Sequence, residues 1–214
     1  MKYRCSFIVL NTTRVGDNSL VLHTLSSDWG RRSFICRSGR SMGLYQPLSL
    51  LEGEITENPK SDLWRVSGIS ALSALQGIRN NLYKTSIAVF MSEVLWRTVK
   101  DGANEDGLYE WCSSSIRTLD ALPGNAANYH LRWLLEFAGA LGFSPSAADI
   151  APFAGTWLQT IRQLIELPEA GALLLPLSGN ARAAIAEILL KYIGHHTESN
   201  INIRSLNILQ EIFK

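Results

Sequence analysis

The first third of the chain alternates apolar and polar positions on a two-residue period. Residues 7–13 open with an apolar run, Phe7-Ile8-Val9-Leu10, and close on threonines. Leu20, Leu22 and Thr24 alternate with Val21, His23 and Leu25 up to the turn Ser26-Ser27-Asp28-Trp29-Gly30, and Ser33-Phe34-Ile35-Cys36 follows it. Residues 47–56 and 63–69 are two further apolar stretches, separated by a turn with Asn58, Pro59, Lys60 and Ser61. Successive side chains of a strand point to opposite faces, so this pattern, bounded by turn-forming residues, predicts five short strands. At hairpin spacing they suit a small barrel of the OB type; an open sandwich gives the same spacing.

Near Ala71 the period lengthens to about 3.6 residues. Leu72, Leu75 and Ile78 begin a stripe that resumes after Arg79-Asn80-Asn81 with Ile87, Phe90, Met91, Val94, Leu95 and Val99. Further helices are predicted over 107–121, 128–141, 153–167, 181–194 and 203–213. Glycine and proline at Asp101-Gly102, Pro123-Gly124, 142–145, Pro168 and Ser178-Gly179 separate them. Strands first and helices afterwards indicate a segregated α+β fold. The expected organisation is a five-stranded OB-fold barrel over 1–72 and an all-helical domain over 73–214.

Composition narrows the function classes. With 46% hydrophobic residues in 214, the chain can bury a sizeable core. No stretch approaches the roughly 18–20 apolar residues of a membrane span, and the richest, 170–177, contains Pro176. The first residues carry Lys2 and Arg4, but Leu10 is followed at once by Asn11, Thr12 and Thr13. There is no signal-like run, and a cytoplasmic protein without a membrane role is expected. Cys5, Cys36 and Cys112 are odd in number and widely spaced, which predicts buried apolar thiols and no metal site. His195 and His196 are adjacent, and neighbours on a helix diverge by about 100°, so a solvated helix end fits them better than a metal pair.

The net charge is only +1, but its distribution is uneven. Residues 1–40 hold Lys2, Arg4, Arg14, Arg31, Arg32, Arg37 and Arg40 against Asp17 and Asp28, a local excess of +5 that leaves −4 to the remainder. Such asymmetry points to a polyanion. Catalytic signatures are missing: there is no GxxxxGK[ST], GxGxxG or GxSxG motif, and Cys112 beside Trp111 has no evident base. Glu52 and Glu54 could form an acid/base pair, with His130 as a distant partner, but a solvated barrel edge explains them more simply. Neither a catalytic residue nor a cofactor is expected.

The cluster that remains surrounds the second hairpin. Trp29 stands beside Arg31 and Arg32, and Arg37, Gly39 and Arg40 end the next strand. Guanidinium groups pair with phosphates, and an exposed aromatic stacks on a base. The expected DNA-binding set is Arg14, Trp29, Arg31, Arg32, Arg37 and Arg40. Trp29 suits a barrel-closing core position equally well.

The order of these features resembles the RecO family of bacterial recombination mediators. The steps that carry the resemblance read Ile8-Val9-Leu10-Asn11-Thr12, Gly16-Asp17, Leu20 onward to Leu25, Asp28-Trp29-Gly30 and Arg37-Ser38-Gly39-Arg40. They continue with Gln46-Pro47-Leu48-Ser49-Leu50-Leu51-Glu52, Ile78 onward to Leu82, Leu141-Gly142-Phe143-Ser144-Pro145, and Arg204-Ser205-Leu206 to Leu209 and Glu211. Each motif is short, and their order carries the weight. Two departures stand out. Many relatives have a zinc-binding cysteine quartet soon after the Leu-Gly step, whereas no cysteine follows Pro145 here, so no zinc finger is expected. The basic loop after Arg40 is short and poor in lysine.

The resemblance implies a non-enzymatic protein of the cytoplasm and nucleoid that binds single- and double-stranded DNA and anneals complementary strands. It also implies that RecR is engaged and that RecA is helped to replace single-stranded-DNA-binding protein. On the helical body, Lys191 and Arg204 are candidate charge partners for a partner protein's acidic, apolar tail. The alternative is an OB-fold protein-interaction module without intrinsic DNA binding.

Overall fold

The computed structural model describes residues 2–38, 40–124 and 126–213. Five strands form a closed barrel: β1 (Lys2–Val15), β2 (Ser19–Ser26), β3 (Gly30–Arg37), β4 (Leu50–Thr56) and β5 (Trp64–Ala71), in the order β1-β2-β3-β5-β4. A short 3-10 turn, Arg40–Leu44, follows β3. Neighbours are antiparallel except β3 and β5, which run parallel with Phe34 opposite Trp64 and Ile35 opposite Arg65. This is the OB-type barrel that the strand spacing predicts, and closure removes the sandwich alternative.

The barrel interior follows from alternation. Cys5, Phe7 and Val9 of β1, Leu20 and Leu22 of β2, Phe34 and Cys36 of β3, Leu51 and Ile55 of β4 and Val66 of β5 form one buried cluster. Ile8, Leu10, Leu25 and Leu50 are buried too, so β1, β2 and β4 carry apolar side chains on both faces. That is why residues 7–10 read as an unbroken apolar run. β1 is longer than its apolar run because it pairs with β4 through its first half and β2 through its second, with a bulge between Val9 and Asn11.

The chain forms two compact units whose borders differ from a single cut after residue 72. One contains Met1–Gln76 and Val99–Arg117; the other contains Gly77–Thr98 and Thr118–Lys214. Residues 99–117 join the barrel through main-chain bonds to the second hairpin. Arg31 N–H donates to the Ala103 carbonyl at 2.8 Å and Gly102 N–H to the Arg31 carbonyl at 2.8 Å. The pairing requires Gly30, which has φ +58°, and whose added Cβ would lie 2.1 Å from the Ala103 oxygen.

The helices are α1 (Gln76–Arg79), α2 (Leu82–Thr98), α3 (Leu108–Ala121), α4 (Tyr129–Ala140), α5 (Ala147–Ala154), α6 (Leu158–Glu166), α7 (Glu169–Leu174), α8 (Gly179–His196) and α9 (Ser205–Ile212). In the second unit α4 is buried nearly all round, from Tyr129 to Ala138, which makes it the central helix. Glu93 of α2 starts α9: its carboxylate accepts the Arg204 and Ser205 N–H groups at 3.1 and 2.9 Å and the Ser205 hydroxyl at 2.6 Å. Asn128 Nδ2 donates to the carbonyls of Ala172, Leu173 and Leu175 and so closes the end of α7.

The helix predicted over 153–167 is two helices, α5 and α6, linked by a 3-10 turn at Gly155–Trp157, because Gly155 has φ +51°. α5 begins at residue 147 on a capping box: the Ser146 side chain accepts from Asp149 N–H, and the Asp149 carboxylate accepts from Ser146 N–H. Cys5, Cys36 and Cys112 are buried free thiols, as expected. Among the described residues no helix is long and apolar enough to cross a membrane.

Candidate nucleic-acid interface

Several barrel charges are already spent on one another. Lys2 Nζ lies 3.5 Å from Glu54 Oε2, and Arg4 Nε donates to Glu52 Oε2 at 3.0 Å, across the β1–β4 pairing. Ser70 adds a bond to Glu52 at 3.1 Å. The hydrogen bond from Arg4 holds the Glu52 carboxyl below the usual carboxylate range. Both carboxylates thus face cations. His130, weighed with them as a third catalytic group, belongs to the other unit, where it is 2% exposed with Phe90 at 5.7 Å and Phe213 at 6.3 Å between ring centres. Burial, with the Arg182 charge, pushes its pKa down to about 3, so it is neutral.

The free cations lie elsewhere on the barrel. Arg14, Arg37 and Arg65 are exposed, and none has an ion-pair partner among the described residues. The parallel β3–β5 pairing brings Arg37 and Arg65 to one groove of about 560 Å³, lined also by Tyr45, Val66, Ser67 and Ile69. Arg65 is the residue that sequence reading missed. Its signal is the Trp64-Arg65 step opening the fifth strand, outside the charge excess of residues 1–40.

The second hairpin is more buried than its charge suggests. Trp29 is half-buried against the barrel core, with Trp64 at 5.3 Å, Tyr3 at 6.0 Å and Phe34 at 6.4 Å, all edge to face. Its ring is engaged in barrel packing. Arg32 lies over the Trp64 ring, 3.5 Å from its centre, a cation–π contact. Arg31 is 5% exposed, and its Nη1 is 3.5 Å from Asp101 Oδ1. Of the two positions open to Trp29, packing on the barrel core is the one its ring contacts describe, and Arg31 is buried. The side chain of Arg40 lies outside the described residues, as does Gly39.

His23 sits between hydroxyls, 3.0 Å from Thr13 and 2.9 Å from Ser33, and burial with the Arg31 charge lowers its pKa. In the helical unit, Lys191 is exposed and lines a cavity of about 610 Å³ with Glu187, His195 and Leu206. Arg204 is exposed beside the start of α9, where its N–H group donates to Glu93 and its carbonyl accepts from Asn207 N–H. His196 stacks on Phe143 at 4.7 Å and His195 tilts toward Phe153 at 5.6 Å, so both pack on aromatics at the end of α8.

The sequence that forms this barrel and helical body matches known proteins. The family model described as recombination protein O N terminal matches residues 1–75, and that described as recombination protein O C terminal matches residues 79–151. The chain belongs to the RecO family. Relatives called DNA repair protein RecO extend the match over whole chains. That of Phocaeicola vulgatus is 28% identical over 96% of this chain and 97% of its own, and that of Bacteroides fragilis is 28% identical over the same shares. The Flavobacterium psychrophilum relative is 23% identical over the full length of both. RecO membership thus joins the barrel and the helical unit in one family architecture.

Proposed function

We propose that this chain is a non-enzymatic DNA-binding mediator of recombination and repair, working in the cytoplasm at the nucleoid. The observation that carries the reading is the groove between β3 and β5, where Arg37 and Arg65 stand exposed beside Tyr45 with no ion-pair partner among the described residues. Two forked guanidinium groups across an OB-fold groove suit the spaced phosphates of a single strand. Arg14 and Arg32 extend the basic surface along β1 and β3. Binding of this kind is independent of sequence, serves single- and double-stranded DNA, and permits two complementary strands to be brought together for annealing.

The RecO relationship supports the partners: RecR, single-stranded-DNA-binding protein, and through them RecA. Lys191, on the rim of the helical unit's cavity, and Arg204 are the side chains we assign to an acidic partner segment. Contacts suffice for the whole activity, so no cofactor is invoked.

The test places a photoreactive residue at Ser67, inside the groove, and at exposed Gln159 on α6 as a reference. Illumination with a labelled single-stranded oligonucleotide should mark Ser67 and leave Gln159 unmarked, with unlabelled strand competing. Equal marking, or marking at Gln159 alone, contradicts the reading.

A further inference from the structure

Arg31 and Arg32 are consecutive on β3, so their side chains should leave opposite faces. Both nevertheless line one cavity of about 420 Å³, together with Ser33, Asp62, Asp101 and Gly102. The Arg31 side chain is only 6% exposed, and its ion pair with Asp101 is long at 3.5 Å, while the Asp101 side chain is 75% exposed. The Nε of Arg31 and the Nε of Arg32 are both buried and have no hydrogen-bond partner among the described residues. Guanidinium carries five donors in a fixed fork, and burying it with so few satisfied is costly. The Ser33 hydroxyl does not help, since it is bonded to His23. The cavity therefore holds two forked cations with donors to spare, one of them met by an exposed carboxylate at the edge of hydrogen-bond range.

We propose that this cavity is a phosphate subsite for single-stranded nucleic acid, and that the Asp101 carboxylate occupies it as an internal stand-in that a phosphodiester displaces. The inference rests on the reading of the barrel as a DNA-binding surface. A phosphate offers more acceptors than a carboxylate, and Arg pairs with it bidentately, so the two guanidinium groups gain acceptors that Asp101 alone does not supply. Displacement needs only rotation of an exposed side chain. The main-chain bonds between Arg31 and residues 102 and 103 can stay in place. Arg32 is already oriented by its stacking on Trp64. The position also fits a strand running along β3: Arg31 and Arg37 are six residues apart, about 20 Å, within the reach of the roughly 4–16 nucleotides that one OB fold accommodates.

The experiment is anisotropy titration of labelled single-stranded DNA at several salt concentrations with the full chain and the variants Asp101→Asn and Asp106→Asn. Asp106 is an exposed residue of the same segment, so it controls for the loss of one nearby negative charge. Asp101→Asn should tighten binding about three- to tenfold at low salt and steepen the salt dependence by about 0.7 log unit per log unit, one added phosphate contact. Asp106→Asn should stay within about twofold of the parent, and the gain should vanish when Arg31→Met is combined with Asp101→Asn. A tightening shared by Asp106→Asn, one that survives loss of Arg31, or none at all overturns the subsite. Because the decisive result is a gain, misfolding cannot mimic it. If the parent chain itself does not bind, the reading of the barrel fails with it; binding that Asp101→Asn leaves unchanged removes the subsite alone.

Discussion

Lys84 of α2, 4% exposed, donates its Nζ to the carbonyls of Asp120 at 2.9 Å and Leu122 at 2.6 Å, at the end of α3. The last carbonyls of a helix have no donor within it, and here a buried ammonium supplies one. The Asp120 carboxylate meanwhile accepts the Ile78 N–H at 2.8 Å. Lys84→Met keeps the apolar stem but leaves those carbonyls unmet, so the chain should lose about 1–3 kcal/mol of stability. Urea unfolding reads this as a lower midpoint with an unchanged slope. An unchanged midpoint would mean that water replaces the lysine.

His130 gives the helical unit a definite pH dependence. Its folded pKa of about 3 lies well below the ordinary value of 6.5 because burial and Arg182 disfavour the charged form. The unfolded chain thus binds the proton more readily. The neutral ring's contribution is whole above pH 6.5 and declines as the pH falls below it, by up to about 1.4 kcal/mol per unit. The lowered carboxyl groups, Glu93 and Asp149 among them, act only in a more acid range. Between pH 6.5 and 5 the melting temperature should therefore fall in the parent chain and fall less steeply in His130→Phe, where the lowered pKa of His23 in the other unit remains. Parallel curves would contradict the assignment.

Gly30 tests how residues 99–117 are held on the barrel. With φ +58° and the Ala103 oxygen 2.1 Å from where a Cβ would stand, Gly30→Ala should lose at least about 2 kcal/mol, from backbone strain and the displaced main-chain bonds. Amide exchange should show faster exchange at Arg31 and Gly102, whose N–H groups make those bonds. Unchanged protection at both would show that the segment is held by other contacts.

The barrel was legible because half-buried strands write their inside and outside into alternate positions, as Cys5-Phe7-Val9 and Leu20-Leu22 do. The amphipathic stripe of α2 was legible for the corresponding reason. The helix over 153–167 was misjudged because apolar periodicity runs through Gly155, and only its positive φ divides α5 from α6. The capping box at Ser146 and Asp149 was the available sign that a helix starts earlier. In the site, charge density disclosed Arg37 but not which arginines are free. Arg31 is buried against Asp101, seventy positions away, and Arg65 reaches the groove through a parallel pairing between strands that are not consecutive. Local sequence carries neither relationship.

The central claim is that the groove between β3 and β5 holds DNA through its phosphates, and its most direct test is the salt dependence of single-stranded DNA binding in Arg37→Gln/Arg65→Gln. Each lost phosphate contact removes about 0.7 from the slope of log affinity against log salt. The double variant should bind more weakly at low salt and lose about 1.4 from that slope, with its unfolding midpoint unchanged because both side chains are exposed. A slope and affinity equal to those of the parent chain would contradict the account and place the nucleic-acid surface outside this groove.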